Sequence, residues 1–99
     1  MKVFLVGPMG TGKSTTGRNL SEKLDYDFCD TDKLIEKAER KKIKDIFEQY
    51  GEDYFRQKES KALDETKTLQ NVVIATGGGI VEREENRLFL GHEDKVCLL

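Results

Sequence analysis

The sequence predicts an α/β fold in which helices cover both faces of one parallel β-sheet. Short apolar runs without a helical period alternate with longer segments whose apolar residues recur every three or four positions. The first three apolar runs end in glycine or aspartate, as buried strands often do where they meet a loop. In such a fold ligands bind at the carboxyl ends of the strands, so those loops are the candidate sites.

Length and composition narrow the possibilities further. The 99 residues fit a single domain, residues 1–99, and the formal net charge of -2 gives no broad basic surface. Nucleic acid and acidic membranes are therefore poor main partners, and no obligate protein partner is inferred. Cys29 and Cys97 lack CxxC spacing and the sequence has no long apolar run, so we expect a cytoplasmic protein.

The first β-α-β unit lies at the amino end. The run "KVFLV", residues 2–6, predicts a buried strand, and a helix begins at Lys13 with Leu20 and Leu24 on one face. The chain then turns through "DYD" into a second short strand, "FCD". After Asp32 the spacing predicts two helical pieces. The second stops at Gly51, and its inward face consists of Ile43, Ile46, Phe47 and Tyr50.

The remaining elements continue the alternation. A helix over residues 52–66 carries Phe55, Ala62 and Leu63 inward, and "VVIAT" predicts a third strand that three glycines end. A short helix at "EENRLFLG" and a fourth strand at "KVCLL" follow.

The loop after the first strand matches a phosphate-binding pattern in full. Gly7-x-x-x-x-Gly12-Lys13-Ser14 lies between a predicted strand and a predicted helix, as the P-loop mechanism requires. Backbone amides would surround a polyphosphate, Lys13 would reach its β and γ oxygens, and Ser14 would be a ligand of Mg²⁺. The glycine spacing does not match the GxGxxG of a dinucleotide site.

The metal needs a second oxygen ligand, and Asp30 is the best candidate. The strand "VVIATGGG" lacks the carboxylate that often steadies Mg²⁺ in P-loop enzymes, whereas Asp30 ends the second strand. In an extended segment Asp32 would point elsewhere and could orient an acceptor hydroxyl or take its proton. Asp32 could equally stabilise the first turn of the following helix, and both roles could hold together.

Arg56 and the triple glycine are the other candidate ligand positions. Arg56 lies on the same helical face as Glu59, which is usual for a solvated salt bridge, but its planar fork also suits the carboxylate of a hydroxy-acid substrate. Three glycines after a strand allow a ligand to approach the backbone closely, although a flexible turn is the alternative.

Together these motifs resemble the shikimate kinase family. "GPMGTGKSTTGRNL", "DFCDTD", "FEQYGEDYFRQKE" and "ATGGG" follow that family's order and approximate spacing over nearly the whole chain. Many kinases share the first motif, whereas FxxxGExxFRxxE between a DxD and a triple glycine makes the match specific. The resemblance implies a P-loop kinase-type parallel sheet, truncated to about four strands.

The resemblance also implies an activity and a set of site residues. The reaction would transfer the γ-phosphoryl group of ATP to the 3-hydroxyl of shikimate, with Mg²⁺ as cofactor. The residues that would bind the ATP phosphates are Gly10, Thr11, Gly12, Lys13, Ser14 and Thr15. Ser14 would also ligate the metal, which Asp30 would support through water.

The acceptor side is implied in the same way. Lys13 and Asp32 would be catalytic, and Asp32 would hold the shikimate hydroxyls. Arg56 would bind the shikimate carboxylate, while Gly78 and Gly79 would contribute backbone contacts.

The chain departs from the family pattern at its carboxyl end. Family members continue to an arginine-bearing lid, a second substrate-binding arginine, a fifth strand and an adenine-packing loop. We expect either an amino-terminal fragment or a protein whose other segments are supplied otherwise, with weak or no phosphoryl transfer alone. The alternatives are a related kinase for gluconate or nucleotides, and a non-catalytic nucleotide-binding module.

Overall fold

The computed structural model describes residues 1–8, 12–80, 83–91 and 95–98, and in these strands and helices alternate. The strands are β1 (Lys2–Val6), β2 (Asp27–Asp30), β3 (Val72–Ala75) and β4 (Lys95–Leu98). The helices are α1 (Lys13–Leu24), α2 (Thr31–Glu39), α3 (Ile43–Glu65) and α4 (Glu84–Gly91), with a 3-10 turn at Thr66–Thr68 after α3. The strands and helices predicted from the sequence are all found, although two predicted helices are joined in α3.

The described strands form one sheet in the order β2-β3-β1-β4, and all of them are parallel. This arrangement confirms the predicted α/β class. Because the strands are parallel, their carboxyl ends meet at one edge of the sheet. The loops after β1, β2 and β3, which carry the candidate site residues, therefore come together there.

Side chains from alternate positions of β1 fill the core on both faces of the sheet. Phe4 and Val6 pack with Leu63 of α3 on one face, whereas Val3 and Leu5 pack on the other. A separate apolar cluster joins α2 to α3; its buried members are Ile35, Ile46, Phe55 and Ala62. Burying a large apolar side chain contributes about 1.5–3 kcal/mol, so this second cluster fixes α3 against α2.

Two apolar residues that shaped the helix predictions lie at the surface. Leu24 is 42% exposed at the end of α1, and Tyr50 is 44% exposed in α3. The helices were correctly predicted, but the buried face predicted from the periodicity is one turn longer in each helix than the one observed. Spacing places residues on a common face, while only the neighbouring elements decide how much of that face is covered.

Glycine bends α3 in its middle. Gly51 has φ 86° and ψ 175°, which interrupts the helix, and helical geometry resumes at once on its carboxyl side. A side chain would be strained at that φ, which explains why glycine occupies the position. The predicted helix stop is thus a kink, after which Phe55 faces the core.

Neither cysteine forms a disulfide: Cys29 on β2 and Cys97 on β4 are both free and half-buried. Across the part of the chain that the structure describes, none of the helices has the length and apolar character needed to span a membrane.

Candidate functional site

The carboxyl edge of the sheet holds two adjacent cavities. The first has a volume of about 230 Å³, and we call it the P-loop cavity. Its polar side chains come from the start of α1, from the end of β2 and start of α2, and from the loop after β3. These residues are Lys13, Ser14, Thr15, Asp30, Asp32 and Thr76. Gly12 and Gly78 complete the lining with backbone. Three loops that are distant in sequence thus surround one space.

The second cavity has a volume of about 310 Å³ and is called the Arg56 cavity here. Its polar lining consists of Asp32, Arg56 and Glu59 together with the glycines 77–79. Its apolar lining consists of Pro8, Ile43, Phe47 and Phe55. Asp32 and Gly78 line both cavities, so a group bound in one lies next to a group bound in the other.

Lys13 carries the positive charge of the P-loop cavity. The residue is only 9% exposed, and its Nζ donates to the carbonyl oxygens of Gly7 at 2.7 Å and Pro8 at 2.9 Å. Gly12 caps α1 from the left-handed region, with φ 76°, and no acidic residue lies in the first turn. The helix dipole and the ammonium group therefore both favour an anion at this end of α1.

Ser14 and Asp30 bring two oxygen ligands together. The Ser14 hydroxyl donates to Asp30 Oδ2 at 2.9 Å, across the space between α1 and β2. Hydroxyl and carboxylate oxygens are the donors that Mg²⁺ prefers, and the ion commonly takes its other ligands from phosphate and water. The two side chains therefore fit a magnesium site of this kind.

Thr15 and Gly12, which are predicted to bind ATP phosphates, line the P-loop cavity. Gly10 and Thr11, which were also predicted to bind ATP phosphates, lie outside the described residues.

The two aspartates of the DxD motif take different positions, although the reason expected from the sequence is wrong. The segment is not extended: Asp30 ends β2, and Asp32 already lies in the first turn of α2. Asp30 is the N-cap, and its Oδ1 accepts from the backbone N–H of Asp32 at 2.9 Å. Helix geometry rather than strand alternation separates the aspartates, and only Asp32 reaches the Arg56 cavity.

Asp32 has the environment of a proton acceptor. Burial raises the pKa of its carboxyl group above the usual value, and the negative charges of Asp30 and Glu36 raise it further, whereas Lys13 and Arg56 oppose this. Among the residues that the structure describes, Asp32 Oδ1 has no hydrogen-bond partner. A buried carboxylate oxygen that lacks a hydrogen-bond partner, on a group of raised pKa, is suited to accept a hydrogen bond or a proton from a hydroxyl group.

Arg56 is held in place by acidic residues of its own helix. Its Nη1 donates to Glu59 Oε1 at 3.1 Å, and its Nη2 lies 3.5 Å from Glu52 Oε1. The predicted pair with Glu59 therefore forms. The interpretation of that pair as solvated is wrong, because the Glu59 side chain is only 1% exposed and that of Arg56 only 17%.

Glu59 is the functional candidate that sequence reasoning missed. Its place three residues after Arg56 was interpreted as surface pairing, yet its burial and its position in the Arg56 cavity make it part of the site. A signal was available: residues 55, 59, 62 and 63 share the buried face of α3, and a charged residue on such a face is rarely structural alone. The apolar wall of Ile43, Phe47 and Phe55 was likewise predicted only as core.

Comparison with known proteins places this site in context. The family model described as "Shikimate kinase" matches residues 9–99. A shikimate kinase of Alkaliphilus oremlandii is 50% identical over 97 residues, which are 98% of this chain and 57% of that protein. The bifunctional shikimate kinase/3-dehydroquinate synthase of Thermotoga maritima is 50% identical over 98 residues, 99% of this chain and 20% of that protein. The chain thus spans little more than half of the first and a fifth of the second.

Solved structures agree with the sequence comparisons. A shikimate kinase from Acinetobacter baumannii in complex with shikimate superimposes with a TM-score of 0.96 and 43% identity, over 99% of this chain and 55% of that one. A shikimate kinase from Aquifex aeolicus gives a TM-score of 0.94 and 39% identity, over 100% of this chain and 59% of that one.

Proposed function

This chain belongs to the shikimate kinase family, and from that premise we propose that it transfers the γ-phosphoryl group of ATP to the 3-hydroxyl of shikimate. The products would be ADP and shikimate 3-phosphate, an intermediate on the chorismate route to aromatic amino acids. Phosphoryl transfer needs a donor and an acceptor hydroxyl in contact, with charge stabilisation where they meet.

One observation supports the proposal above the others: the P-loop cavity and the Arg56 cavity share Asp32 and Gly78. A polyphosphate in the first would have its terminal phosphorus near a hydroxyl held in the second. A site for ATP alone would not require an adjacent pocket with a half-buried arginine and a carboxylate of raised pKa.

The P-loop cavity is the donor site in this proposal. Lys13 releases the carbonyls of Gly7 and Pro8 and donates to the phosphate oxygens, where it stabilises the charge that spreads during transfer. Ser14 and Asp30 would hold Mg²⁺, which when bound neutralises phosphate charge. The backbone of Gly12 and the hydroxyl of Thr15 would add further donors to the phosphates.

The Arg56 cavity is the acceptor site. The guanidinium of Arg56 can bind the carboxylate of shikimate through two parallel hydrogen bonds, and the backbone of Gly78 and Gly79 lines the same cavity. Ile43, Phe47 and Phe55 face the carbon ring. Asp32, at the junction, accepts a hydrogen bond from the reacting hydroxyl, orients it and takes its proton as the new O–P bond forms.

The proposal is tested with a chimera in which this chain replaces the matching residues of the Alkaliphilus oremlandii shikimate kinase. We expect ADP release that rises with shikimate and not with gluconate or nucleoside monophosphates. Binding of shikimate and of ATP to the 99-residue chain, measured by calorimetry, is the companion experiment. ADP release that responds to gluconate or a nucleoside monophosphate instead would favour a related kinase. ATP binding with no acceptor response in either experiment would favour a nucleotide-binding module.

A further inference from the structure

The outer glycines of the loop after β3 lie against the charged side chains of the Arg56 cavity. A Cβ atom built on Gly77 would lie 2.6 Å from Asp32 Oδ1 and 2.6 Å from Glu59 Oε2. These two oxygens face one another over the glycine, separated by at most twice that distance. Real Cβ atoms essentially never approach so closely, so any side chain at position 77 would displace a carboxylate.

Gly79 bears the same relation to Arg56. A Cβ atom at position 79 would lie 2.6 Å from the guanidinium carbon and 2.7 Å from Nη2. The guanidinium therefore rests directly on the backbone of the loop, while its terminal nitrogens pair with Glu52 and Glu59. Each outer glycine thus leaves room for a different charged group.

We infer that Gly77 is a positioning residue for the reaction, because its missing side chain lets Asp32 and Glu59 converge at the junction of the two cavities. The inference rests on the proposed function and extends it to a residue with no assigned role. Gly79 has the matching task for Arg56. The two glycines therefore affect different steps: position 77 governs the orientation of the acceptor hydroxyl, and position 79 governs binding of the acceptor carboxylate.

The clash at position 77 is with the ends of side chains rather than with backbone. Asp32 and Glu59 can rotate away from an added methyl group, so Gly77→Ala is expected to fold while its carboxylates are displaced. Gly91→Ala is the matched control, because a Cβ at that position on α4 meets nothing within 4 Å.

Kinetics of the chimera give the first measurement. Gly77→Ala should lower kcat by about 100-fold and change the shikimate KM by less than threefold, since a small misplacement of a reacting group is that costly. Gly79→Ala should instead raise the shikimate KM by about tenfold and leave the ATP KM within twofold. Gly91→Ala should leave all three constants unchanged. An unchanged kcat in Gly77→Ala would overturn the inference.

A double variant tests the mechanism of the effect. Glu59→Asp shortens the side chain and withdraws its carboxylate from position 77, which leaves Asp32 room to adjust beside an added methyl group. In that background Gly77→Ala should therefore lower kcat by less than tenfold. Such rescue is not expected of a glycine needed only for folding. If the Gly77→Ala variant does not fold, the kcat of the double variant is compared with that of Glu59→Asp alone, and the same difference of less than tenfold is expected. Additive effects of the two substitutions would contradict the inference.

A crystal structure of the Gly77→Ala variant gives a readout that does not depend on activity. The Asp32 and Glu59 carboxylates should move away from position 77 while β3 keeps its place in the sheet. Carboxylates that stay in position beside the new methyl group would overturn the inference. A wild-type chimera without shikimate-dependent ADP release would contradict the proposed function and leave this structural test intact.

Discussion

The P-loop cavity and the Arg56 cavity share a border but are built in different ways. The P-loop cavity takes half of its described lining from the contiguous residues 12–15 at the start of α1, and the other half from Asp30, Asp32 and the loop after β3. The Arg56 cavity has no contiguous motif: its polar groups come from α2, from α3 beyond the Gly51 kink, and from the loop after β3. We expect damage to the P-loop cavity to impair phosphoryl transfer itself, and damage to the Arg56 side of the second cavity to impair binding of the acceptor.

The largest expected effect follows from Lys13→Ala, which removes the only side-chain cation described in the P-loop cavity. The kcat of the chimera should fall by about 100- to 1000-fold, the usual result of losing one charge-stabilising donor. Calorimetric affinity for shikimate should stay the same, because the Arg56 cavity is intact. Lys23→Ala, in the exposed last turn of α1, is the control. A decrease in kcat of less than tenfold would contradict the assignment of phosphoryl transfer to the P-loop cavity.

Asp30→Asn should weaken the binding of Mg²⁺ rather than the binding of shikimate. Asparagine keeps the N-cap of α2 but loses the negative charge beside Ser14, so the Mg²⁺ concentration for half-maximal rate should rise about 10- to 100-fold. Asp27→Asn, exposed on the same strand, should leave the magnesium response unchanged. A rise in shikimate KM without a change in magnesium response would assign Asp30 to the acceptor side.

Arg56→Lys tests the second cavity in isolation. Lysine keeps the charge but cannot form the planar fork, so the shikimate KM should rise about tenfold while the ATP KM stays within twofold. Steady-state kinetics with each substrate varied in turn give both constants. Arg40→Lys, at the exposed end of α2, serves as control. Equal rises in both KM values would contradict the assignment of Arg56 to the acceptor.

The smallest effect concerns the support of the Arg56 cavity. The backbone N–H of Ile43 donates to Glu36 Oε2 at 3.0 Å, and this bond is the main cause that lowers the pKa of Glu36. The ionised carboxylate therefore stabilises the start of α3 at pH values above its usual pKa. That stability is lost as the pH falls through the lowered value.

Glu36→Ala should reduce the free energy of unfolding by about 1 kcal/mol at pH 7, as loss of a helix-capping bond usually does. Urea unfolding of the chain at pH 7 and at the lowest pH at which it stays folded should show the difference shrinking in acid, as the wild-type carboxylate takes up a proton. Glu48→Ala, exposed on α3, should have little effect at either pH. A difference that is equal at both pH values would show that the charge of Glu36 does not support α3.

Agreement between sequence and structure was best where the determinants are local. The strand end at Val6 and the helix start at Lys13 follow from the glycine spacing between them, and the break in α3 follows from one glycine with φ 86°. Leu24 and Tyr50 were assigned to buried faces and are exposed, since periodicity does not report what covers a face. The pairing of Arg56 with Glu59 was found from spacing, but its burial was not, because the covering elements lie elsewhere in the chain.

The sequence by itself determined the α/β class, the bounds of nearly all elements and the candidate residues at each strand end. These depend on hydrogen bonding and side-chain preferences over a few neighbouring residues. Only the tertiary structure decided that Asp32 lies between the two cavities, that Glu59 is buried beside it, and that a Cβ at position 77 would meet both carboxylates. Such relations arise from the packing of β2, α3 and the loop after β3, whose distances no local pattern encodes.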